Sequence, residues 1–239
     1  MRQLRRSLFR YHVWLGWLVG VPLLLWTVSG LVMVARPIET VRGSDLKLER
    51  PPALLTPDAV PTLPFLVSGS PPVREYRVTV REGRSVAQVK YANDDQALFD
   101  TVTGARLTPI GEAEARRIVG AQVRSATAKG SIAGATLFAA NAVPFDFRKA
   151  MPVWQVRLAD GTHVYVGRDT AEIEAVRTPY WRFYDFMWGL HIMDLETRED
   201  THHPILVVFT VIAALATVLA VLLMIARYTP RRRVKPPSE

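Results

Sequence analysis

No cysteine occurs among the 239 residues. Disulfides, thiolate metal sites, thiolate-ligated haem and haem attachment through Cys-x-x-Cys-His are therefore excluded. The common signatures of catalysis are missing too. The chain has no G-x-S-x-G, no phosphate-binding glycine loop, no H-E-x-x-H and no dinucleotide fingerprint. Charge of either sign is absent from two long stretches, Val13 to Ala35 and Pro204 to Ala226, of 23 residues each. A hydrocarbon core of about 30 Å needs roughly 20 apolar helical residues. Both stretches meet that length, and nothing between them does.

Acid is also scarce where base is plentiful. Residues 1–35 carry Arg2, Arg5, Arg6 and Arg10 with no Asp or Glu, and residues 227–239 carry five basic groups against Glu239. The remainder is balanced, so the formal net charge of +8 resides in the two ends. Basic flanks of this kind are retained on the cytoplasmic side of a membrane, and they attract the anionic head groups of the lipid bilayer. The surplus sits where orientation signals belong, which argues against nucleic acid as the partner. The expected order is a cytoplasmic N-terminus (1–12), a first span (13–35) and a proline-rich tether (36–72). A folded region (73–178), an aromatic interfacial segment (179–203), a second span (204–226) and a cytoplasmic tail (227–239) follow. The apolar run of the first span exceeds a signal-peptide core, and no A-x-A site follows it, so an uncleaved anchor is expected.

The folded region reads as α+β. Tyr76, Val78 and Val80 alternate with Arg77, Thr79 and Arg81, a period-two strand pattern. Turn residues at 82–84 and 93–95 separate it from strands at 86–91 and 97–99. Asp100-Thr101-Val102-Thr103-Gly104 closes a tight turn. Residues 112–126 return to helical spacing, with Ala115, Ile118, Val119 and Val123 on one face. Residues 127–150 are a low-charge connector of ambiguous pattern. Strands are expected again at 153–158, 163–166 and 172–176, the first two joined by the hairpin signal Asp160-Gly161. Three strands, a helix and three strands suggest a repeat of two antiparallel sheets, each over a helix. Tyr76 and Trp154 open its equivalent first strands. A short helix is expected at about 56–66. Trp181 to about Leu195 reads as an aromatic interfacial helix.

Two strings carry a resemblance. Arg10-Tyr11-His12-Val13-Trp14-Leu15-Gly16-Trp17, with Ser29-Gly30 later in the span, resembles the first helix of PepSY-associated transmembrane proteins. Trp181 to Asp194, followed by Thr197-Arg198-Glu199 and His203-Pro204, is similar to the segment before a later helix of that family. The turn ending at Gly104 is similar to the recurrent strand-end turn of PepSY domains. The resemblance implies a bacterial inner-membrane protein with tandem PepSY-like units in the periplasm. Larger relatives have four spans and are associated with iron uptake; some look like haem-containing ferric-siderophore reductases. This chain has two spans.

The candidate chemistry rests on histidine. His12, Gly16 and Gly20 fall at i, i+4 and i+8 on one helix face, so the glycines clear room for a flat macrocycle or another helix. Neutral imidazole suits axial ligation of haem iron. Taken with the resemblance, His12, Gly16, Gly20, His191 and His203 are candidate haem b contacts, and His12, His191, His202 and His203 candidate metal ligands. Asp194, three residues from His191, could orient its ring. His12 lies at the inner end of the first span and the other three at the outer boundary, so they cannot share one iron. A second copy or a membrane partner would complete a haem site. His163 reads as an ordinary strand residue. The resulting expectation is haem-dependent electron transfer across the membrane. Its rival is a non-catalytic anchored module that binds a peptide or protein, or inhibits a peptidase.

Overall fold

The computed structural model describes residues 2–48, 55, 71–126 and 131–228, and the chain divides into two compact units. The expected helix at 56–66 lies outside the described residues.

The first unit comprises residues 1–36 and 183–239. Its long helices are α1 (Arg2–Val34) and, near the other end, Pro204–Tyr228. Two stretches, Arg10–Val34 and Pro204–Ile225, are long and apolar enough to cross a membrane. Their side chains fit no aqueous setting: Trp14 is 73 % and Trp17 72 % exposed, and Leu215 65 %. Helices apolar on every side need a non-aqueous surround. Three of their hydroxyls are satisfied within the helix. Thr27, Thr210 and Thr217 each donate to the carbonyl four residues back at 2.8 Å, as a hydrocarbon environment demands. These two helices are compatible with a membrane protein of two spans.

The second unit, residues 37–182, is α+β. After a short helix α2 (Ile38–Arg42), strands β1 (Val73–Arg81), β2 (Arg84–Tyr91) and β3 (Gln96–Asp100) form an antiparallel sheet. Alternate residues build its apolar face, while Val86 and Leu98 are buried on the other. Tyr76, Val78, Ala87, Val89, Ala97 and Phe99 gather on one face. The turn after β3 is built by Asp100, whose carboxylate accepts the N–H groups of Val102 (2.9 Å) and Thr103 (2.8 Å). Those bonds hold its pKa below the usual carboxylate value. Gly104 closes the turn at φ +70°, where a side chain would be strained.

Helix α3 (Glu112–Gln122) follows, then β4 (Ile132–Phe138), β5 (Val153–Leu158), β6 (His163–Gly167) and β7 (Ile173–Arg177), an antiparallel sheet in chain order. Helix α3 packs on β4, β5 and β6. Ala115, Ile118 and Val119 meet Val156, Val164, Val166 and Val176 there. The opposite face carries Phe147, Val153, Tyr165 and Ala175, so this sheet is buried on both sides.

Strand β4 was not expected. Its sequence, IAGATLF, is small and barely alternates, and a register shift interrupts it between Ile132 and Gly134. It is an edge strand whose identity comes from pairing with β5, not from its own pattern. Trp154 consequently lies on the second strand of its sheet, not the first. The repeat of three strands, helix and three strands becomes three strands, helix and four.

Candidate functional site

Helix α4 (Pro179–Ile192) and the turn after it carry the second of the two characteristic strings. The turn is organised by one carboxylate. Asp194 accepts the N–H groups of Glu196 (3.2 Å) and Thr197 (2.9 Å) on one oxygen. Its other oxygen accepts those of Glu199 (3.1 Å) and Asp200 (3.2 Å), and a short bond from the Thr197 hydroxyl. The Thr197 hydroxyl, followed by these N–H groups, pulls the Asp194 pKa far below the usual range. Arg198 then reaches back to the buried Asp185 carboxylate at 2.8 Å, and Trp188 Nε1 donates to the Arg198 carbonyl at 3.0 Å. Gly189 permits this closure. A Cβ on it would stand 2.9 Å from the Asp194 carbonyl oxygen and 2.8 Å from Arg198 Cγ. Trp188, Gly189, Asp194, Thr197 and Arg198 are thus the parts of a rigid turn.

What this framework presents to α1 is His191. Its ring stacks on Trp26 with centroids 4.7 Å apart and planes 14° from parallel. Nδ1 lies 3.1 Å from the Trp26 carbonyl oxygen and 3.1 Å from Ser29 Oγ. A carbonyl oxygen only accepts, so Nδ1 carries the proton and Nε2 of the neutral ring keeps its lone pair. Ser29, itself buried, donates to the same carbonyl at 2.8 Å. Gly30 completes the seat, since a Cβ there would come within 3.2 Å of His191 Cε1. The expectation that Asp194 orients His191 is therefore corrected. Asp194 is occupied by its own turn, and a backbone carbonyl from 165 residues away does the orienting.

The other candidates are arranged differently. His12 is half-buried, and its Nδ1 is shielded without a hydrogen-bond partner. Gly16 and Gly20 have open space where a Cβ would point. The helix face they share with His12 is therefore clear. The contact between the two long helices lies elsewhere. An apolar groove of about 360 Å³ is lined by Leu18 and Val19 of α1 and by Pro204, Ile205, Val208, Phe209 and Ile212. His203 precedes Pro204, and its Nδ1 is also buried without a partner. His202 is exposed, beside Thr201 Oγ1 at 3.4 Å. Helical rise places Trp26, the His191 contact, about 21 Å along α1 from His12. Pro204 instead borders the level of Leu18 and Val19, about 9–11 Å from His12. His191 and His203 therefore lie at different levels along α1. Among the described residues no three His, Cys, Asp or Glu side chains converge as a metal-holding group.

His163 lies in a polar network of the α+β unit. Asp146 Oδ2 is 3.1 Å from His163 Nδ1, and Asp146 Oδ1 accepts the Tyr165 hydroxyl at 2.5 Å. Gln155 Nε2 donates to Tyr165 Oη at 2.6 Å. Burial opposes the Asp146 charge, but the bonds from His163 and Tyr165 outweigh it and its pKa is lowered. The Tyr165 hydroxyl is pushed up, first by burial and then by the Asp146 carboxylate. These groups are bonded to one another, which ties the loop before β5 to β5 and β6.

Fold and site together define a class: an α+β unit joined to two apolar helices long enough to span a membrane, with a seated histidine beside one of them. No family model, curated protein or solved structure matches the chain.

Proposed function

We propose that this is a bacterial inner-membrane PepSY-type protein linked to haem-dependent electron transfer across the membrane, in iron acquisition. In this reading both termini are cytoplasmic, and the α+β unit, as tandem PepSY-like modules, is periplasmic. One observation carries it. His191 is held with its proton on Nδ1 and its Nε2 lone pair available. That is the tautomer a ligating imidazole needs, with the other ring nitrogen donating to a carbonyl. Haem b, when bound, supplies a one-electron couple. The chain's own residues hold the imidazole, stack it on Trp26 and leave Gly30 bare so that it can sit against α1. His12, with Gly16 and Gly20, offers a second position nearer the other membrane face. At either level the opposing ligand comes from a second copy or a membrane partner.

The test is the Soret absorption of detergent-purified protein made with ample haem. His191→Ala and His12→Ala are each expected to remove part of the band, and His163→Ala to leave it unchanged. Unmodified protein with no Soret band overturns the proposal. A second reading, an anchored binding module, is favoured by a polar groove of about 230 Å³ on the three-stranded sheet. Glu75, Arg77, Gln88, Lys90, Gln96 and Glu172 line it. Peptide titration of haem-free protein tests that alternative, and no binding across a diverse peptide set removes it.

A further inference from the structure

We infer that β4 is an interface strand: its outer edge pairs antiparallel with β4 of a second copy of this chain, joining two four-stranded sheets into one of eight. Strand β4 ends its sheet, and its register partners all lie on β5. Among the described residues no backbone group bonds to residues 132–138 from the far side. The N–H and C=O groups of such an edge are a template for another strand.

Folded chains blunt an open edge with charge or cover it. Strand β1, which ends the other sheet, carries Arg74, Glu75, Arg77 and Arg81. The remaining ends, β3 and β7, are flanked by their own chain. Leu107 N donates to the Leu98 carbonyl at 2.7 Å, and Lys47 Nζ to the Ile173 carbonyl at 3.3 Å. Strand β4 has neither device. Ser131 to Phe145 holds no charged residue. Ala133, Thr136 and Leu137 are exposed, Leu137 to 45 %. The register shift bends only the start of the strand and leaves Gly134 to Phe138 regular.

The occupant follows from the strand's own symmetry. Two copies of a seven-residue strand overlap fully only with the two-fold axis at its middle residue, Ala135. Leu137 then faces Ala133 of the second copy, and Thr136 faces Gly134, so each larger side chain meets a small one. The exposed Arg157 leans toward this edge over Gly134, with Nη2 3.2 Å from where a Cβ would stand. That brings its guanidinium beside the Thr136 hydroxyl of the second copy. No charge lies on either rim of the pairing to be left unpaired. The interface also supplies what the haem reading requires, a second copy for the opposing ligand, yet it stands on the fold and is read without haem.

Because the chain has no cysteine, Ala135→Cys places the sole thiol on the axis. Full-length protein in liposomes is oxidised with copper phenanthroline. The control is Val102→Cys, in the turn after β3, where the side chain is 79 % exposed. Covalent dimer is expected about tenfold faster at 135 than at 102, because directly opposed Cβ atoms lie within disulfide reach. Adding Leu137→Lys puts charge on the edge and should return the rate to the control. A nitroxide on the exposed Thr136→Cys, read by double electron–electron resonance, should show strong coupling between copies. That keeps the test open if Ala135→Cys folds poorly. A rate at 135 no faster than at 102, with no coupling at 136, overturns the proposal even if the protein shows a Soret band. So does a dimer whose label at 136 is uncoupled, since its contact lies elsewhere, or a coupling that survives Leu137→Lys. Coupling without a Soret band supports the interface and removes the haem reading alone.

Discussion

Gly189→Ala is the most exacting test of the α4 turn. In an open helical position alanine stabilises by about 1 kcal/mol relative to glycine. Here the new Cβ would meet the Asp194 carbonyl oxygen at 2.9 Å and Arg198 Cγ at 2.8 Å. The arginine stem can swing away, but doing so pulls on its 2.8 Å bond to Asp185. The backbone oxygen cannot move without shifting Asp194, whose carboxylate holds the whole turn. Overpacking of this kind costs about 1–3 kcal/mol. The upper part of that range applies, because one of the clashing atoms is backbone. After the helix gain is subtracted, a net loss of about 1–2 kcal/mol remains. Trypsin must release Arg198 from Asp185 before cutting after it, so cleavage there reports local opening. When closing outpaces cutting, the rate follows the opening equilibrium. The loss then converts to about a 5- to 30-fold faster cut. Fragment analysis of detergent-solubilised protein, normalised to cleavage after Arg74, measures it. An unchanged or slower cut after Arg198 refutes the account of Gly189.

Other expectations follow from the same contacts. Asp194 titrates below its unfolded value, so its contribution is complete above about pH 4 and is lost only as pH falls through the lowered folded value. Hydrogen exchange across residues 196–200, corrected for its intrinsic pH dependence, should be flat from pH 7 to 5 in the natural protein and elevated throughout in Asp194→Asn. Asp146→Ala strips the acceptor from the Tyr165 hydroxyl and should cost the α+β unit about 1–3 kcal/mol in urea unfolding; no change would mean the network is idle. Reporter fusions at Glu239 and within residues 139–150 should show opposite sidedness, and matching signals would refute two spans with both termini cytoplasmic.

Several elements were legible in the chain because their causes are local. An uncharged run of 23 residues marks a candidate span whatever surrounds it, since lipid solvates one segment at a time. Strands β1 and β2 and helix α3 announced themselves by period, because each buries one face. The turn at Gly104 did so by its Asp and Gly. The strand at 132–138 gave no such signal. Its small, weakly alternating residues become a strand only because β5 offers an edge to pair with.

The candidate site divides along the same line. Histidines, glycines on one face and the aromatic string could be found by type and spacing. Which carboxylate served which group could not. Asp194 is near His191 in sequence yet bonds its own turn, while Trp26 and Ser29, more than 160 residues away, seat the ring. Ser29-Gly30 was visible as a pair but without a role until His191 was placed against it. The sequence by itself determined where apolar helices and antiparallel strands could form, because hydrophobic period and turn chemistry act over a few residues. Only the tertiary structure decided the tautomer of His191, the pairing of β4 and the need for Gly189. Each depends on atoms brought within about 3–4 Å by chain closure, the range at which hydrogen bonds and steric contact act.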